Sequence, residues 1–186
     1  METAAPWIDP LLRALVRACH PGGGRIGCGA MTLSLNTRRL LEHVEGYLLL
    51  GMKAEAAEAL GAIADAERDA SPVLHLRSAL HVERAEWAAA ADLLKTLCER
   101  EPGRAEHWIQ QAYATRRHLG IEVARVILLR GLELHPREAT IHFNLACYEA
   151  QIGRLIEARA YLATACLLDK DFTAMAKADP DLAPLW

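Results

Sequence analysis

Apolar residues recur along most of the chain at helical rather than alternating spacing. Ile141, Leu145, Tyr148 and Ile152 form one stripe, Gly153-Arg154 interrupts it, and Leu155, Ala158, Leu162 and Ala165 resume it. Positions three and four apart line one face of a helix, and a glycine between two such runs marks a turn, so the spacing predicts a helical hairpin. The hairpin repeats. Ala56, Ala90, Ala124 and Ala158 stand 34 residues apart, and Leu60, Leu94, Leu128 and Leu162 form a second unbroken column in the same phase. Pro102 and Pro136 keep that spacing at the ends of apolar-periodic segments, where proline stops a helix without breaking it; Lys170 takes the place in the last unit. Shorter columns hold Leu40, Leu74 and Trp108, then Ile63 and Leu97, and the small residues Gly131 and Ala165. Helices of about 13 residues span roughly 20 Å and are marginal alone. The pattern therefore predicts hairpins that bury their stripes by stacking, with alanine wherever two helices approach closely.

A 34-residue helix-turn-helix unit with small residues, a turn glycine and a terminal proline in this order resembles the tetratricopeptide repeat family. The resemblance covers residues 37 to 170 as four units, 37–70, 71–104, 105–138 and 139–170, and implies an all-α, right-handed solenoid. The turn glycine is clear at Gly51 and Gly153, shifted to Gly120 in the third unit, and replaced by Ala85 in the second. Asn144-Leu145-Ala146-Cys147-Tyr148, followed by Asp179-Pro180-Asp181-Leu182-Ala183-Pro184-Leu185, is similar to the closing segment of bacterial arrays of this family. Phe172, Met175 and Ala176, then Leu182, Leu185 and Trp186, supply apolar anchors on either side of Pro180, so residues 171–186 are expected to cap the last hairpin.

The preceding residues, 1–36, read as a flexible or dispensable leader. The apolar stretch from Trp7 to Cys19 is interrupted by Asp9, Pro10, Arg13 and Arg17, and no small-residue cleavage site follows, which argues against a signal peptide. Pro21-Gly22-Gly23-Gly24 then breaks the chain before Met31; an internal start at Met31 would leave the leader as upstream sequence, and a functional N-terminal arm is the alternative.

Composition narrows the function. Hydrophobic residues make up 52% and charged residues 24% of 186, enough apolar material for a core. A net charge of -3 lacks the basic excess that phosphate-backbone binding requires, so nucleic acid is not the expected partner. No apolar run reaches the roughly 18 residues of a membrane span. Five cysteines, odd in number and without close pairs, fit a reducing, cytoplasmic setting better than a disulfide framework.

Chemistry is sparse. The eight histidines, at 20, 43, 75, 81, 107, 118, 135 and 142, never place two ligands on one helical turn beside a carboxylate or thiol. Cys98 and Cys166 occupy equivalent places in the second helices of their units and read as packing residues. The triple glycine lacks the lysine-serine pair of a phosphate loop, and no serine-centred elbow is present. No metal, cofactor, small-molecule substrate or catalytic activity is expected.

What remains is a surface. The family resemblance implies that the first helix of each hairpin lines a concave groove. Helical projection puts Leu41, Glu45 and Leu48 there from the first unit, His75, Ala79 and Val82 from the second, Ile109, Tyr113, Arg116 and Arg117 from the third, and Phe143 and Cys147 from the fourth. Tyr113 and Phe143 offer aromatic area, and Arg116 with Arg117 can fork to a carboxylate. The clamp by which some family members hold a C-terminal carboxylate is not expected, since only Asn144 matches it while His75, Ala79 and Ile109 stand at the other places. The implied function is a non-enzymatic adaptor or scaffold that binds a protein segment in its groove. A secretion-type chaperone holding an exported client is the alternative, and a metal-binding or catalytic helical protein a distant third.

Overall fold

The computed structural model describes residues 33–186, all helix or connecting turn, with no strand among them. The expectations placed on the Trp7–Cys19 stretch, the glycine break and Met31 lie outside the described residues. The helices are α1 (Leu35–Leu49), α2 (Lys53–Gly61), α3 (Ser71–Glu83), α4 (Trp87–Arg100), α5 (Ala105–Leu119), α6 (Ile121–Leu134), α7 (Ala139–Gln151), α8 (Leu155–Leu168) and α9 (Asp171–Ala178). Short 3-10 turns add Asp65–Glu67 and Pro180–Leu185. The fold is all-α and made of helical hairpins. It divides into two compact units, one ending at Leu97 and one beginning at Cys98.

In the first unit α1 packs on α2, and both pack on α3. Val44, Leu48, Ala56, Leu60, Ile63, Val73 and Leu76 form the core. Helix α1 starts slightly ahead of the repeat phase at Thr37 because Ser34 caps it, its hydroxyl accepting from the Thr37 N–H at 3.2 Å. Glu67, brought round by the 3-10 turn, accepts from the Ser34 N–H at 2.6 Å and from the Thr37 hydroxyl at 2.5 Å. Those bonds, the Thr37 hydroxyl first, hold its carboxyl below the usual glutamate value.

In the second unit α5 pairs with α6, α7 with α8, and α6 packs on α7. The core runs through Ala112, Ala124, Leu128, Ile141, Leu145, Ala158 and Leu162 and continues into Leu182 and Leu185. All four alanines of the 34-residue column are 0% exposed, as close packing of helices there requires. At Gly131 an added Cβ would lie 2.9 Å from the Trp108 Cβ, which explains a small residue facing that ring.

The repeat extends to hydrogen bonds. Trp108 Nε1–H donates to the Pro102 carbonyl at 3.1 Å, and 34 residues later His142 Nε2 meets the Pro136 carbonyl at 2.9 Å. A carbonyl can only accept, so His142 carries its proton on Nε2 there. The prolines end their helices, and their carbonyls tie the start of the next helix.

Candidate functional site

The predicted groove residues divide by exposure. In the first unit Leu41, His75 and Val82 are buried and Glu45 is half-buried. In the second, Ile109, Phe143 and Cys147 are buried, Tyr113 and Arg116 are half-buried, and Arg117 is exposed. Buried members shape and support a surface more than they touch an incoming chain, because the apolar stripe that faces inward is also the one that packs.

The most organised polar cluster lies in the second unit, where α5 and α7 meet the C-terminal turn. Arg116 reaches out from the last turn of α5, and its Nη1 lies 2.7 Å from Asp181 Oδ2. Its guanidinium sits 5.0 Å from the centre of the Tyr148 ring, a cation–π arrangement. Gln151, at the end of α7, donates from Nε2 to the Asp181 carbonyl at 2.9 Å. One turn back, the Cys147 thiol donates to Asp179 Oδ2 at 3.7 Å. Asp179 Oδ1 accepts from the Asp181 N–H at 2.9 Å and so starts the 3-10 turn. Phe143 and Phe172 meet with ring centres 4.8 Å apart. From α8, Arg159 donates to the Leu185 carbonyl.

Burial dominates the electrostatics. It pushes the Asp179 carboxyl above its ordinary range, with the charge of Asp181 adding to the rise and the Asp181 N–H opposing it. It likewise raises the Cys147 thiol and the Tyr148 hydroxyl, so both stay protonated at neutral pH. Cys98 is pushed up to about 12, chiefly by burial. Neither Cys98 nor Cys147 has the thiolate character that a nucleophile or metal ligand needs.

Sequence reasoning singled out Arg116, Phe143 and Cys147, and the structure brings all three against residues 172–181. It missed Tyr148, Gln151, Arg159, Asp179 and Asp181. The available signal was charge: two aspartates flank Pro180 in the tail, and a chain with an arginine pair at 116 and 117 offers them a partner.

Elsewhere histidines serve structure. His135 Nε2 meets the Pro102 carbonyl at 2.9 Å, and His81 Nδ1 lies 2.5 Å from Glu86 Oε2. Among the described residues no three His, Cys, Asp or Glu side chains converge as a metal ion requires, and no helix is long and apolar enough to cross a membrane. A shallow depression in the first unit, about 320 Å³, is lined by Ala57, Leu60, Gly61, Arg68, Arg77, Leu80 and His81. Arg68 is committed there to the carbonyls of Gly61 and Ile63 and to Asp65.

No protein-family model matches the chain, and no curated protein matches it in sequence. Solved structures of MamA are similar to it. A MamA point mutant aligns at 17% identity over 73% of this chain and 98% of its own, with a TM-score of 0.48. MamA MSR-1 aligns at 19% identity over 74% of this chain and 99% of its own, with a TM-score of 0.46.

Proposed function

We propose that the chain is a non-enzymatic protein-interaction module of the tetratricopeptide-repeat kind, bacterial and cytoplasmic. It comprises four repeats, 37–70, 71–104, 105–138 and 139–170, closed by a cap at 171–186. A protein segment binds on the inner faces of its first helices, and in the second unit the seat is the side shared by α5 and α7. One observation carries this reading. That side already holds a stretch of polypeptide, residues 179–185, through an ion pair to Arg116, a side-chain bond from Gln151 to the Asp181 carbonyl, and the buried Leu182 and Leu185. A surface that fixes one short helical turn by side-chain donors and buried leucines has the features that recognise short peptide segments in general.

The test is site-specific photo-cross-linking. A cross-linking amino acid replaces Tyr113 on the α5/α7 side in one variant and Ile156, 83% exposed on α8, in another. Each is irradiated in the presence of a protein recovered with the full chain by affinity purification. Adducts from position 113 are expected. Adducts from position 156 alone would place binding on the exposed face of α8 and overturn the groove assignment.

A further inference from the structure

The tail reveals the chemistry of the face it occupies. A cap needs apolar anchors to cover the last hairpin, and Leu182 and Leu185, 0% and 2% exposed, supply them. The polar contacts go further. Arg116 comes from α5, in the preceding hairpin, and takes the Asp181 carboxylate at 2.7 Å while lying against Tyr148. Gln151 and Arg159 take the backbone carbonyls of Asp181 and Leu185. Asp179 folds the segment into its turn and meets Cys147. One carboxylate, two carbonyls and two leucines are thus read by side chains of α5, α7 and α8.

We propose that this face recognises acidic-apolar segments of the pattern Asx-x-Asp-Leu in a partner protein, with the chain's own residues 179–185 as its occupant in cis. The inference rests on the reading that the α5/α7 side binds protein, and specifies what it binds. Charge complementarity selects the occupant: the side chains aimed at the segment from α5 and α8 are arginines, and stacking on Tyr148 pre-organises Arg116 for a carboxylate. Release can begin at the rim, because the Arg116 and Asp181 side chains remain 24% and 22% exposed and Trp186 beyond them is 69% exposed. The tether gives the tail an effective concentration of the order of millimolar, so a partner segment competes for the face.

Full-length chains and a fluorescent peptide of residues 179–186 test this by anisotropy, with circular dichroism as the check on folding. The Asp181→Asn chain, its own latch loosened and its face intact, is expected to bind the peptide about tenfold or more tightly than wild type. The Arg116→Asp chain is expected to reverse preference, taking a peptide that carries Asp181→Arg over the native one. Should Asp181→Asn fail to fold, Leu185→Ala, which removes one anchor of the tail and leaves the side chains of the face intact, takes its place. No gain in the loosened chain, or no reversal with Arg116→Asp, would overturn the proposal. So would failure of both loosened chains to fold, which would make the tail inseparable from the core. A concentration-dependent dimer of the Asp181→Asn chain would assign the face to a second copy instead and overturn it too. Peptide failure with cross-linking from position 113 retained would remove the acidic specificity alone and leave the binding face standing.

Discussion

At Ala85 the backbone has φ of 56°, where the other hairpin turns carry Gly51, Gly120 and Gly153 at 72°, 96° and 81°. A side chain in the left-handed region costs roughly 1 to 2 kcal/mol, which glycine avoids. Ala85→Gly is therefore expected to stabilise the chain by about 1 kcal/mol, read as a raised urea midpoint with an unchanged slope. A lowered midpoint would mean that the Ala85 methyl makes contacts outweighing its strain. The missing glycine of the second repeat was legible in the sequence, since the column itself showed what belonged there. The shifted Gly120 was legible only as a departure. Its φ of 96° and ψ of 177° let it end α5 and start α6 by itself, a junction that spacing alone does not specify.

Between helices, the alanine column governs. Ala124 is 0% exposed on α6, and Ala124→Leu is expected to cost about 1 to 3 kcal/mol by overpacking, measured by the same denaturant titration. A neutral result would contradict the repeat phase. Beside it, Arg125 Nε lies 2.6 Å from Oε1 of Glu149, which is fully buried on α7, while Arg154 stands 3.9 Å away. Arg125→Ala leaves that carboxylate with the longer contact alone and is expected to cost about 3 kcal/mol or more. Periodicity exposed the apolar contacts of these helices because every repeat uses them. It could not expose Arg125 with Glu149, which belongs to one pair of helices and has no counterpart column to reveal it.

The tail and the N-terminal cap respond to pH with opposite sign. Asp179 has a carboxyl raised by burial, so folding takes up a proton there: its contribution is full below the ordinary value near 3.8 and is lost as pH rises through the raised one. Asp179→Asn keeps the acceptor for the Asp181 N–H and is expected to melt higher than wild type at pH 7, with the gap closing on acidification to pH 4. A gap that widens as pH falls would contradict the sign. Glu67, lowered mainly by the Thr37 hydroxyl, contributes above its ordinary value of 4.5 and loses that contribution as pH falls through the lowered one.

On the scale of the whole molecule the sequence disclosed a class of architecture more fully than a site. The 34-residue columns were legible because stacking repeats the same contact many times. The seat of the tail was not, because residues 171–186 stand outside the period, and the pairing of Arg116 with Asp181 depends on how the chain returns across α7. The apolar anchors Leu182 and Leu185 signalled a cap, whereas the aspartates that meet the groove residues gave no periodic signal. Binding of a protein segment on the α5/α7 side is open to amide hydrogen exchange across the full chain, measured with and without a protein that affinity purification recovers with it. Binding there predicts slowed exchange in residues 105–119 and 139–151 together with faster exchange in 179–186 as the tail is displaced; protection confined to α8 around Ile156 and Leu167, with the tail unchanged, would contradict it.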